Sequence, residues 1–487
     1  MARVRGRGHY RVTFAVLAVG VGAYALLQSL VIPVLTTVQQ QLHTSQDAVT
    51  WVLTSYLLSA SIMTPILGRV GDMVGKERVF VISLAALALG SLLAALASSI
   101  GVMIVARVIQ GVGAGMIPVA FGIIRDEFPA AKVTGAVGVI ASLSAVGGGL
   151  GIVLAGPIVT ALGYRWLFWL PMIFTIIAGV SAVLFVPESP VRAPGRVSWL
   201  PPVLLSGWLV ALLVALSEAP AWGWGSARVL GLLAAAAVLG AGWVVAELRA
   251  RTPLIDMAMM RRTAVWTNNL VALLIGMGMY ATFAFLPEFV QTPSAAGYGF
   301  GASITGSGLM LLPSAVTMFF VGMYSGRLAA RFGGKALVVA GCLIGAVSMG
   351  ILALAHHHPW EIYVSTGLMG IGFGLAFAAM SALIVAAVPV SQTGVASGMN
   401  ANIRTIGGSI GAAAMASIVT SQLAASGLPK EIGYTTGFAV MTGCLVLAAL
   451  AGLLIPGVAR AAATAGPADR HVAPAVSGDA IAGETVA

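Results

Sequence analysis

Polar positions in this chain are sparse and bunched. Between them lie apolar runs of about 20 residues, the length a helix needs to cross a bilayer core. Fourteen such runs are read, near 12–35, 48–67, 79–98, 101–124, 134–160, 166–186, 200–217, 228–247, 264–290, 303–325, 336–355, 361–386, 395–421 and 436–457. Glycine and proline recur inside them, as packed membrane helices tolerate. The pattern predicts an all-α polytopic membrane protein with 14 transmembrane helices.

Composition sharpens this. Only 8% of the 487 residues are charged, against about 25% in a typical soluble domain, and the mean hydropathy is +1.00. A net charge of +10 does not indicate a nucleic-acid partner, because the basic residues recur in short loops and not on one folded face. Placing the N-terminus in the cytoplasm puts 20 Lys and Arg in inside segments and 3 outside, with Arg107 and Arg404 within spans. That bias predicts both termini cytoplasmic in a plasma-membrane protein. The basic N-terminus runs directly into the first span, which reads as a retained helix and not as a removed signal. Cys342 and Cys444 lie in apolar runs and read as small core residues. His356, His357 and His358 read as a solvated external loop, so no metal site is expected. The Ala-, Gly- and Pro-rich 458–487 reads as a disordered tail.

The segment GRVGDMVGKERV, 68–79, concentrates five charges in a chain that has few. Gly68, Gly71 and Gly75 suit a tight turn and close helix approach. Lys76 and Arg78 are accounted for as basic anchors at the membrane surface; Asp72, set between glycines, is not. The segment recurs as GRLAARFGGK, 326–335, with Gly68, Arg69 and Gly75 matched by Gly326, Arg327 and Gly333, and Asp72 by Ala330. Two six-helix halves of like topology follow, separated by an extra pair of spans. The expected divisions are a cytoplasmic N-terminus 1–11, an N-terminal half 12–186, a linker with the extra pair 187–263, a C-terminal half 264–457 and the tail 458–487.

These features resemble the major facilitator superfamily, in particular its fourteen-spanner drug:proton antiporters. Gly68, Arg69, Asp72, Gly75, Lys76 and Arg78 match the family's loop between helices 2 and 3. Arg107, Gln110 and Gly111 in ARVIQGVGAG match its helix-4 motif. Gly147, Gly151 and Gly156 in GGGLGIVLAG match the helix-5 antiporter motif, and YRWLFW, 164–169, resembles the opening of helix 6. The resemblance implies that Asp72 faces the N-terminal end of span 13, around Thr393 to Ala396, as a cytoplasmic gate contact. A carboxylate there would meet a positive helix end. It also implies a coupling role for Arg107, through helix-1 backbone and neighbouring groups. The chain departs from the family in two places. Tyr24 stands nine residues before Pro33, where many members carry an aspartate. Gly151-Ile152 replaces the usual Gly-Pro of helix 5, with Pro157 the nearest substitute for the missing kink.

Ionisable groups inside a bilayer are functional candidates by default. Glu288, near the outer end of span 9, is expected to face the cavity and to exchange a proton. Arg107 joins it as a coupling residue. Arg404 in span 13 reads equally as an acid-pairing or anion-binding group and as a packing residue. Tyr24, Gln28, Asn268, Asn269, Asn400 and Asn402 complete the expected cavity lining, with Met277, Met279, Phe283 and Phe285 as a soft apolar wall. The expected function is alternating-access export of hydrophobic or cationic drug-like compounds in exchange for protons, by a monomer that is not an enzyme. No cofactor is expected: no GxxxxGK[ST] segment is present, so the proton gradient is the energy source. The rival reading is a proton-independent uniporter or importer of a specific metabolite. A respiratory proton-pumping subunit needs midplane lysines, and no span carries one. A non-transporting sensor has no signalling domain in its favour.

Overall fold

The computed structural model describes residues 10–44, 46–188, 200–250, 253, 255–389, 392–421 and 428–456. The expected tail 458–487 lies outside them. Fourteen long helices follow one another: α1 (Tyr10–Leu30), α2 (Gln46–Val74), α3 (Lys76–Leu96), α4 (Ile100–Glu127), α5 (Ala130–Leu162), α6 (Trp166–Phe185), α7 (Leu200–Trp222), α8 (Ala227–Arg249), α9 (Thr263–Gln291), α10 (Ile304–Phe332), α11 (Gly334–Leu354), α12 (Pro359–Ala387), α13 (Thr393–Thr420) and α14 (Glu431–Leu453). Thirteen are long and apolar enough to span a bilayer, and α5 adds 33 residues of similar character. A helix is the form that satisfies every backbone group within its own segment, which a lipid solvent demands. α4 is interrupted by one 3₁₀ turn at Gly113–Gly115, and α5 runs through Pro157.

Both described chain ends lie on one face of the bundle, called here the terminal face. Tyr10, opening α1, packs edge-on against Phe128 at the end of α4. Lys335, opening α11, donates to the Leu453 carbonyl at the end of α14 (2.6 Å). One apolar core gathers helices α1–α6, another α9–α14. A third is built by α7 and α8 together with the facing sides of α2, α9 and α13.

The repeated loop is repeated in three dimensions. Gly75 (φ +137°) and Gly333 (φ +81°) hold corresponding turns, in backbone that residues with a Cβ rarely adopt. Gly68 on α2 abuts Gly394 on α13; a Cβ on Gly68 would stand 2.6 Å from the Gly394 carbonyl oxygen. Its counterpart Gly326 on α10 abuts Gly135 on α5, where a Cβ would stand 2.8 Å from the Gly135 Cα. The halves therefore meet along two related seams, α2–α13 and α10–α5. The second is closed along its length: Ser142 fills the space over Gly322, and Gly156 lies against Thr305 near the opposite end.

The extra pair is more than a linker. The rings of Trp208 (α7) and Trp243 (α8) stack at 5.3 Å. Leu205, Leu209 and Leu213 of α7 then pack with Leu58, Ile62 and Ile66 of α2 and with Met399, Ile403 and Ile406 of α13. Trp224 donates its indole N–H to Ser417 Oγ (2.7 Å). α7 thus lies over the α2–α13 seam, while α8 turns most of its surface outward.

Candidate functional site

Between the halves lies a cavity of about 400 Å³, a size suited to a drug-like molecule. Helical spacing builds its walls. α1 contributes Tyr24 and Gln28; α2 contributes Leu53, Leu57 and Thr64; α13 contributes Ser397, Ala401, Arg404, Gly408 and Ala412, each three or four residues apart. α9 adds Met279, Tyr280, Phe283 and Phe285, and α12 adds Phe377 and Ser381. Leu216, Ser217 and Pro220 of α7 also reach the wall, a contribution the sequence reading did not anticipate. α9 and α13 cross closely because α13 offers glycines: Gly407 lies on the Leu273 carbonyl and Gly411 on that of Met277.

No aspartate or glutamate lines this cavity among the described residues. Its charged group is Arg404, whose guanidinium carbon sits 4.5 Å from the centre of the Phe377 ring, with no carboxylate within ion-pair distance among the described residues. A cation over an aromatic face gains about 0.5–2 kcal/mol. Desolvating a charge costs several kcal/mol. Asn402 is buried in the wall with neither amide atom hydrogen-bonded, and the Ser397 hydroxyl is likewise unpartnered.

Two expected lining residues sit elsewhere. Asn268 and Asn269 are buried between helices and not on the cavity wall. Asn269 accepts from Asn400 Nδ2 (2.9 Å), joining α9 to α13. Glu288 also lies off the wall, one turn beyond Ala284 of the lining; it is exposed and accepts from the Tyr434 hydroxyl (3.0 Å).

Arg107 is fully buried behind the cavity. Its Nε donates to the Val52 carbonyl (2.9 Å), its Nη1 to Gln110 Oε1 (2.8 Å), and its guanidinium lies 4.2 Å from the centre of the Tyr56 ring. Gln110 in turn donates to Ser91 (3.1 Å). The backbone it engages therefore belongs to α2, where helix 1 was expected. α1 approaches through Tyr24, whose ring is 6.2 Å from that of Tyr56. Gly111 lets α4 close on α2: a Cβ there would meet the Ser59 Cβ at 2.5 Å. Of the helix-5 glycines, Gly147 and Gly151 lie against Ala25 and Ser29 of α1, and Gly156 against α10. Ser29 Oγ donates to the Gly147 carbonyl (2.7 Å).

At the terminal face, the Asp72 carboxylate accepts from the Val395 N–H in the first turn of α13 (3.4 Å). Gln392, preceding that helix, offers no side-chain cap, so Asp72 supplies one from the other half. Lys76 does not act as a surface anchor. It is buried, 2.6 Å from Asp126 Oδ2 and 3.8 Å from Asp72 Oδ1. Arg125 crosses the seam to donate to Thr393 Oγ1 (2.6 Å). Arg78 pairs with Glu188 at the surface (3.3 Å), and Arg69 is half-buried on α2. Asp126, Arg125 and Glu188 were not singled out from sequence. The signal available for Asp126 was an acid at the end of a span, beside an arginine counted only for its charge.

The histidine loop also differs from the expected solvated state. His356 is buried, with Nδ1 2.8 Å from the Leu352 carbonyl and Nε2 2.8 Å from Glu431 Oε1. Its acid partner comes from α14, 75 residues along the chain.

Comparison with known proteins adds the following. The model of the Major Facilitator Superfamily matches residues 17–412 and again 269–482. The tetracenomycin C resistance and export protein of Streptomyces glaucescens is 30% identical over 421 residues, covering 86% of this chain and 77% of that protein. Multidrug resistance protein Stp of Mycobacterium tuberculosis (strain CDC 1551 / Oshkosh) is 28% identical, covering 84% and 76%. Multidrug transporter protein MdtP of Bacillus subtilis (strain 168) is 26% identical, covering 77% and 69%. Among solved structures, the human organic anion transporter MFSD10 (TETRAN) shares the fold, with a TM-score of 0.68 at 16% identity over 91% of this chain and 99% of that one.

Proposed function

From the premise that the chain belongs to the Major Facilitator Superfamily, we propose that it exports hydrophobic drug-like compounds across the plasma membrane as a monomer, exchanging them for protons by alternating access. The observation that carries this reading is the cavity between two halves whose α2–α13 seam is bridged at the terminal face by Asp72 and Arg125. Breaking those few contacts frees one seam, while α5–α10 stays packed as the axis. The relatives' names, which speak of export and multidrug resistance, support the same reading. The terminal face is taken as cytoplasmic because the Lys and Arg bias falls there. In this reading Asp72 acts as a gate contact. Glu288, exposed beside Tyr434 at the other end, takes the proton, and Arg107 couples the α2–α4 contact to it.

Of the two substrate chemistries expected from sequence, the apolar one has the lining in its favour; a cation finds no carboxylate there. The acid-free wall also supports a second reading, proton-independent uniport or import of a specific metabolite. One experiment tests both. The purified protein in proteoliposomes is given a pH gradient, and accumulation of uncharged, anionic and cationic dyes is followed for wild type and Glu288→Gln. Accumulation driven by the gradient and lost in Glu288→Gln is the expected result. Accumulation kept in the variant moves the proton to another group. Flux indifferent to the gradient removes antiport and leaves uniport.

A further inference from the structure

We propose that the preferred ligand of the central cavity is a drug-sized aromatic anion, a phenolate, enolate or carboxylate, held by Arg404. The assignment rests on the reading of this cavity as the transport site and names the charge of what it carries. Two observations converge on it. Arg404 lines the cavity with its guanidinium on the Phe377 ring, and no acid lines the wall among the described residues. The ring face offsets only part of the cost of drawing that charge from water, so an anion entering the cavity meets an uncompensated cation in a low-dielectric space. Aromatic faces complete the site: Tyr24, Tyr280 and Phe283 flank the same space and offer flat apolar walls to a fused-ring ligand.

The geometry also speaks against a cation. A cationic ligand would be repelled by Arg404 and would find no carboxylate on the wall. Specificity by charge is then built from repulsion of one sign as well as attraction of the other.

Two dyes that share the xanthene ring system and differ in charge provide the test: anionic fluorescein and cationic rhodamine 123, whose carboxyl is a methyl ester. Binding to the purified protein in nanodiscs is read by fluorescence polarisation, and flux is read separately in proteoliposomes. Fluorescein is expected to bind more tightly than rhodamine 123. Arg404→Gln should weaken fluorescein by about tenfold or more without weakening rhodamine 123, since a charge-assisted hydrogen bond is lost. Arg404→Lys should retain most of the preference. Tyr280→Leu, which removes one flat wall, should weaken fluorescein with Arg404 in place, which guards against misfolding of the Arg404 variants. The proposal is overturned by rhodamine 123 binding equally well or better, by fluorescein affinity indifferent to Arg404→Gln, or by no fluorescein binding. Binding with the expected preference but no flux would uphold the ligand class and remove the export reading. Flux of both dyes without preference would do the reverse.

Discussion

Asp72→Asn isolates the charge of the terminal-face contact, because asparagine keeps the shape and an acceptor oxygen. Its magnitude follows from which interactions change when the α2–α13 seam opens. The 3.8 Å pair with Lys76 lies within one half and survives opening, as does the 2.6 Å Lys76–Asp126 pair. Neither contributes to the opening equilibrium. What opening removes is the contact of the carboxylate with the Val395 N–H, at a long 3.4 Å, and with the positive end of α13. A charge at a partly buried helix end is worth roughly 0.3–2 kcal/mol. Taking about 1–2 kcal/mol for so buried a carboxylate, neutralisation shifts the equilibrium toward the open seam by a factor of about 5–30. Spin labels at Val74, at the end of α2, and Ala386, near the end of α12, span the seam from exposed positions. Double electron–electron resonance should show a longer-distance population growing in Asp72→Asn. Gly394→Ala should act in the same direction, since its Cβ would stand 2.7 Å from the Gly68 carbonyl oxygen and 3.0 Å from Asp72 Oδ2. A distance distribution identical to wild type in both variants would refute the reasoning.

Two further outcomes are expected, both read by thermal unfolding in detergent. Arg107→Leu strips the buried Gln110 side-chain oxygen of its donor and the Val52 carbonyl of a second donor beyond its helix bond and should cost about 1–3 kcal/mol; an unchanged unfolding temperature would mean that water replaces the guanidinium. Gly111→Ala drives a methyl into Ser59 and to 2.8 Å from the Tyr56 carbonyl oxygen, separating α2 from α4, at about 1–3 kcal/mol of overpacking; Ser59→Gly in the same chain should restore part of the loss.

The number of helices and their order were legible because bilayer thickness sets a length and the chain repeats it. The turn at Gly75 was legible because its partner Gly333 stands at the same offset in the other half, and both need positive φ. Rotation about each helix was not. α9 and α12 are apolar on nearly every side, so nothing in their sequences separates Asn269, turned toward Asn400 between helices, from Tyr280, turned into the cavity. Pairings between distant segments were hidden for a related reason. Lys76 reads as one more basic loop residue until Asp126, 50 positions later, is seen 2.6 Å away. His356 reads as solvated until α14 delivers Glu431. The helix-1 partner expected for Arg107 came from resemblance, and here the acceptor is supplied by the next helix along the chain.

α7 lies over one seam and not over the other, and this breaks the twofold relation between the halves in a way that concerns the lipid. A compound dissolved in the bilayer and moving sideways toward the cavity meets Leu205, Leu209 and Leu213 at the α2–α13 edge. At the α5–α10 edge it meets two backbones in near contact. With both seams closed, neither edge is open to the side among the described residues. A bundle of twelve helices without α7 would leave the first of these edges facing hydrocarbon, so the added pair walls this side of the cavity off from the membrane.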